Sequence, residues 1–129
     1  MKLFTTVLLV CGLASVALAA SSKFANISHN ELKTAIEKKT VTLLDVNGSE
    51  SFQEGHIPGA IDFIANEKQI AAKLPKNKDA LIVAYCGNEY CPAYQAAATM
   101  AVKLGYTNVK HYAPGIDGWK KSGAKTEKG

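Results

Sequence analysis

A chain of 129 residues with 47% hydrophobic side chains has room for one domain with a substantial core, and this composition excludes a disordered chain. The net charge of +4 comes from 15 basic side chains, every one a lysine, against 11 acidic ones. The lysines are scattered and not interleaved with aromatics, which argues against nucleic-acid binding. The absence of arginine removes the guanidinium fork on which oxyanion-binding cysteine phosphatases depend.

Met1 to Ala19 reads as a secretory signal peptide: Lys2, an apolar run from Leu3 to Val16, then the small-x-small site Ala17-Leu18-Ala19. The run is too short for a stable membrane anchor, so export to the periplasm or beyond is expected. Cys11 belongs to this leader, which leaves Cys86 and Cys91 in the mature chain. Residues 20–26 read as a polar lead-in. Ser28-His29-Asn30-Glu31 forms a capping box, with Ile27 and Leu32 placed as a hydrophobic staple, and opens a helix reaching Lys39.

Val41 to Val46 is a short, nearly continuous apolar run around Asp45, as suits a strand buried on both faces. Ser49 to Glu54 is a helical turn stopped by Gly55. His56-Ile57-Pro58-Gly59-Ala60 is a turn, and Ala60 to Phe63 a short strand. Asn66 to Leu74 is helical and ends at Pro75. Ala80 to Tyr85 is the central strand. Pro92 starts a helix that runs to Leu104 and closes at Gly105. Val109 to Tyr112 is a strand and Ile116 to Lys121 a last helical turn, which Trp119 packs onto the core. Residues 124–129 are expected to be a flexible tail. Strands alternating with helices give an α/β fold with a mostly parallel sheet flanked by helices on both faces.

The chemistry concentrates where the central strand ends. Cys86 follows the apolar run, Cys91 stands five residues later, and a helix begins just beyond. A thiol at the mouth of a loop that feeds a helix N-terminus has a lowered pKa, and the thiolate is the nucleophile. Gly87 and Asn88 tolerate left-handed backbone, which a tight loop around the sulfur is expected to use. Cys91 has three readings: a resolving thiol that closes a disulfide with Cys86, an inert residue near the helix start, or a weak S–H donor to Cys86. Tyr90 and Tyr94 either line the entrance or pack. His56 is read as structural, since a turn histidine commonly satisfies backbone groups, with a general-base role as the alternative. Asp45 is read as a loop-fixing carboxylate. His29 and His111 show no partner pattern, and no usual zinc spacing is present.

Asp45-Val46, Phe52-Gln53-Glu54-Gly55-His56-Ile57-Pro58-Gly59-Ala60, the strand–Cys86–loop–helix, Gly105-Tyr106-Thr107-Asn108-Val109 and Gly115-Ile116-Asp117-Gly118-Trp119 occur in order. Together they resemble a single-domain rhodanese, a sulfurtransferase, over residues 27–123. The resemblance implies that Cys86 carries a sulfane sulfur as a persulfide and that the backbone amides of Gly87, Asn88, Glu89, Tyr90 and Cys91 cradle it. It implies structural support from Asp45 and His56, and no metal or organic cofactor. The implied partners are a small sulfur-containing anion or a protein persulfide as donor, and a thiol or cyanide-like acceptor. The chain departs from the pattern at Asn47, where the family commonly has arginine, at Cys91, where a basic residue or serine is common, and at Pro114, where Gly-Gly is common. With no cation in the loop and Glu89 repelling a dianion, polysulfide or a protein persulfide is as reasonable a donor as thiosulfate. Two further readings stay open: a thiol–disulfide oxidoreductase or redox sensor using Cys86 and Cys91, and a persulfide carrier without turnover.

Overall fold

A computed structural model describes residues 24–129, so the expected leader lies outside the described residues. Its axis is β4 (Leu81–Tyr85), flanked on one side by β2 (Val41–Asp45) and then β3 (Ile61–Asp62), and on the other by β5 (Asn108–His111) and then β1 (Ala25–Asn26). All pairings are parallel, with Asp45 level with Tyr85 and Ala84 level with His111. Side chains of β4 alternate between two cores, which is why its sequence is apolar at every position. Ile82, Ala84 and Cys86 face a cluster with Phe63, Ile70, Tyr94 and Ala97. Val83 and Tyr85 face a second cluster with Leu32, Ile57, Tyr112 and Trp119.

Among the described residues six α-helices surround the sheet: α1 (His29–Glu37), α2 (Ser49–Glu54), α3 (Phe63–Asn66), α4 (Ile70–Lys73), α5 (Tyr94–Lys103) and α6 (Gly115–Lys121). The α1 capping box is present in both halves: Ser28 Oγ accepts from Glu31 N–H, and the Glu31 carboxylate accepts from Ser28 N–H. Those bonds hold the Glu31 carboxyl below its ordinary range. Ile27 and Leu32 are both buried in the second cluster.

Several boundaries differ from the sequence reading, each for a tertiary or capping reason. The supposed lead-in supplies Phe24 to the first cluster and β1 to the sheet edge. The Asp62 carboxylate accepts from Ala65 N–H and starts a helix at Phe63, so the third strand is shorter than expected. The helix expected over 66–74 is α4 plus a 3₁₀ turn, Glu67–Gln69, which joins it to α3. Pro92 does not open α5. Gln95 N–H reaches Pro92 O and Ala96 N–H reaches Ala93 O, the tighter closures of a 3₁₀-type turn, and α5 proper begins at Tyr94.

The residues expected as a free tail are tied down. His56 and Glu127 exchange two backbone hydrogen bonds of 2.9 Å, and Trp119 Nε1–H donates to Lys125 O at 2.8 Å. Among the described residues no helix is long and apolar enough to cross a membrane.

Candidate active site

Cys86 sits at the end of β4 with no exposed surface. Its backbone is clamped by α6: Ile116 N–H donates to Cys86 O at 3.0 Å and Asp117 N–H to Gly87 O at 2.9 Å. These are amides that a helix start leaves without intrahelical partners, and here the cysteine strand satisfies them. Gly115 makes the approach possible. Its φ is +63°, and a Cβ there would lie 2.6 Å from Cys86 O and from Gly87 C. The left-handed glycine therefore belongs to α6. Gly87 and Asn88, expected to supply positive φ, do not adopt it, because the loop closes by other means.

Those means are a disulfide and an Asx turn. Cys86 and Cys91 are bonded, with Cα atoms 6.0 Å apart, within the span a disulfide bridges. Of the three readings of Cys91, the structure adopts the closed pair. Asn88 Oδ1 accepts from Tyr90 N–H at 3.0 Å, and Asn88 O from Cys91 N–H at 3.3 Å. Two of the five amides expected to cradle the sulfur are thus spent within the loop in this oxidised form. Those of Gly87, Asn88 and Glu89 have no protein partner among the described residues. Glu89 and Tyr90 are exposed, Tyr90 by 86%, and the Glu89 carboxylate beside it pushes the Tyr90 phenol up.

On the opposite face of the sheet, Tyr85 and Asp45 form a buried lock. Tyr85 Oη donates to Asp45 Oδ2 at 2.5 Å and accepts from Ile57 N–H at 3.1 Å, while Asp45 Oδ1 accepts from Asn47 N–H at 2.8 Å. One chain of hydrogen bonds thereby joins the 56–60 turn, the end of β2 and the end of β4. Burial raises the Asp45 carboxyl despite the donors, and burial together with the neighbouring carboxylate raises the Tyr85 phenol well above its ordinary value.

Asn47 follows, where the resemblance gives arginine. Its Oδ1 lies 3.6 Å from where a Gly87 Cβ would be, and its Nδ2 is buried without a partner among the described residues. His56 stands apart from the sulfur. Its Nδ1–H donates to Phe52 O at 2.7 Å, its ring stacks on Phe52, and its Nε2 lies 3.7 Å from the Glu127 carboxylate. It braces the turn and the C-terminal residues around Glu127.

Three residues of this site were not legible in the sequence. Tyr85 reads there as one more apolar strand position. Gly115 reads only as the first residue of the family motif ahead of the last helical turn. His111, at the end of β5, stacks on Tyr94 with ring centroids 3.4 Å apart and is 5% exposed. Only the period-2 alternation, which puts positions 84, 86 and 111 on one face once register is known, could have pointed to it.

A family model described as "Rhodanese-like domain" matches residues 28–122. An HTH-type transcriptional regulator of Mycobacterium tuberculosis is 36% identical across 99% of this chain, which spans 58% of that protein's length. A thiosulfate sulfurtransferase of Coxiella burnetii is 28% identical over 75% of this chain and 88% of its own. Among solved structures, a rhodanese-related protein of Thermoplasma volcanium superposes with a TM-score of 0.63 at 23% identity, covering 81% of this chain and 98% of the other. It speaks to the fold alone.

Proposed function

This chain belongs to the rhodanese-like domain family, and we propose that it moves a sulfane sulfur through a persulfide on Cys86. The observation that carries the reading is the placement of Cys86. It ends the central strand, wholly buried, with its carbonyl held by α6 and the amides of Gly87, Asn88 and Glu89 uncommitted beside it. Such donors stabilise an anionic sulfur.

The disulfide defines a resting oxidised form that two electrons from a thiol pair must open. The freed Cys86 thiolate then attacks the sulfane sulfur of the donor. A sulfur–sulfur bond forms, and the donor remnant leaves with the electron pair. An acceptor nucleophile next attacks the outer sulfur and expels the Cys86 thiolate. The donor is thiosulfate, the compound in the name of the Coxiella relative, or polysulfide or a protein persulfide. Glu89 and a loop without cations disfavour a small dianion such as thiosulfate, which makes a protein persulfide at least as reasonable a donor. The acceptor is a thiol or a cyanide-like nucleophile, and the setting is outside the cytoplasm, from the leader-like residues 1–19.

The test is the intact mass of the reduced mature protein after thiosulfate or polysulfide treatment. The wild type and Cys91→Ser should each gain one sulfur that cyanide removes, and Cys86→Ser should gain none. No gain in any form overturns the reading.

A second reading, a thiol–disulfide oxidoreductase or redox-sensing module, is favoured by the Cys86–Cys91 bond itself. The regulator relative is compatible with it. That reading requires both cysteines, so Cys91→Ser separates the two. A carrier without turnover would load sulfur and release it to cyanide only slowly.

A further inference from the structure

Beside the disulfide lies a cavity of about 280 Å³ whose walls include Asn26, Glu89, Tyr90, Cys91, Tyr94 and His111. It sits on the Cys91 side of the bond. Cys86 has no exposed surface, whereas Cys91 is partly exposed and forms part of the wall. Thiol–disulfide exchange needs access to the sulfur attacked, so an incoming thiol meets Cys91 and expels Cys86.

His111 is the unexplained member of this wall. Its ring is nine-tenths buried or more against Tyr94, and its Nε2 is wholly buried without a partner among the described residues. A phenylalanine would make the same stack without burying an unpaired nitrogen, so packing does not account for an imidazole here. Burial lowers its affinity for a proton, which keeps the ring neutral and able to accept one. Among the described residues, the titratable groups that share this wall are Glu89 and Tyr90 from the loop and Tyr94 from α5, with Cys91 joining them once reduced. β1 contributes Asn26, and the neighbouring strand contributes Ala84. Glu89 is the one charged side chain of the wall, and no lysine lines it.

We propose that this cavity is the docking site for a low-molecular-weight thiol that is uncharged or cationic, and that His111 takes the thiol's proton as its sulfur attacks Cys91. This rests on the sulfurtransferase reading only in that the product is the working Cys86 thiolate. In the first step the S–H proton passes to Nδ1 of His111, since Nε2 is sealed from the cavity. The thiol sulfur bonds to Cys91 Sγ, the Cys86–Cys91 bond breaks, and its electron pair stays on Cys86. A second thiol molecule attacks the small-molecule sulfur of the mixed disulfide. Cys91 leaves and regains the proton from His111, and the second thiol's proton goes to solvent. Two thiols are oxidised to one small disulfide, and the protein disulfide is reduced. Glu89 selects against anionic thiols by like-charge repulsion.

The experiment follows reduction of the oxidised full chain by alkylation and intact mass, using cysteamine, 2-mercaptoethanol and 3-mercaptopropionate. Each rate is normalised to its thiolate concentration and to the same thiol's rate with a small linear disulfide, which removes intrinsic nucleophilicity. Cysteamine should outpace 3-mercaptopropionate by about three- to tenfold, and Glu89→Gln should bring that ratio close to one. His111→Phe, which keeps the stack on Tyr94, should slow all three thiols by about tenfold or more near pH 7. The deficit should shrink above about pH 9, where thiols ionise unaided.

Equal rates for wild type and His111→Phe across the pH range, or a charge ratio that Glu89→Gln leaves unchanged, would overturn the proposal. His111→Gln serves as a second variant if the phenylalanine does not fold. The wild-type ratio needs no variant, and a ratio of one sinks the charge selection outright. Sulfur loading of phosphine-reduced wild type is measured alongside. Its failure would refute the sulfurtransferase reading while the exchange rates judge this one separately.

Discussion

Tyr85 and Cys86 are neighbours at the end of one strand, and the sheet sends them to opposite faces with opposite fates. Tyr85 is locked by hydrogen bonds to Asp45 and Ile57, in a core that also buries Tyr112 and Trp119. Cys86 is held by its backbone carbonyl and by one bond that reductants break. The difference shows how a small domain keeps a convertible site in place. The permanent network fixes the strand end from behind, so the sulfur in front can change partners without moving the frame.

The sharpest way to break that comparison is to pull the frame apart. Gly115→Ala places a Cβ against Cys86 O at a left-handed φ and should cost roughly 2–6 kcal/mol, combining overpacking with backbone strain. Denaturant unfolding measures it, and a loss under about 1 kcal/mol would mean that α6 does not clamp the cysteine strand.

Tyr85→Phe should cost about 2–5 kcal/mol by leaving Asp45 Oδ2 and Ile57 N–H unpaired in the core, with Asn47 N–H still on Oδ1. Combining it with Asp45→Asn should cost less than the sum of the single changes, since both act on one network. Additive losses would refute the lock.

On the convertible face the effect is smaller. Cys91→Ser, or reduction of the wild type, should cost about 2 kcal/mol for so short a loop. The same melting midpoint with and without reductant would mean the bond contributes nothing to stability.

The smallest effect concerns pH. Burial lowers the folded-state pKa of His111 from its ordinary 6.5, so the unfolded chain binds the proton more readily. Its contribution is complete above 6.5 and is lost as pH falls from there through the lowered folded value. His111→Phe should remove that share of the acid-side slope in unfolding free energy measured at several pH values. Identical slopes would place the imidazole in water.

Local pattern accounts for much of the fold. The α1 cap was readable because Ser28 and Glu31 are three residues apart and bond each other's backbone whatever lies beyond them. The apolar runs at β2 and β4 were readable because strands covered on both faces admit few polar residues. Asp45 and His56 read as structural supports, but the partners they meet, Tyr85 and Glu127, lie far along the chain and carry no local signal. β1 was missed because two exposed residues carry no periodic signal, and their strand character comes from pairing with β5. The C-terminal residues read as loose because lysines and glycine carry no apolar signal. The groups that hold them, His56, Gln53 and Trp119, are close only in the folded chain.

By itself, then, the sequence determined the α/β class, the alternation of the longer strands and helices, and the cysteine at the mouth of the central strand, since each follows from residues within a few positions of one another. Tertiary structure alone decided that Cys86 is sealed while Cys91 is reachable, that Tyr85 meets Asp45, that Gly115 lies against Cys86, and that His111 borders the same cavity as Cys91. The strand order β1-β5-β4-β2-β3 brings these residues together from distant parts of the chain, and no local spacing encodes that order.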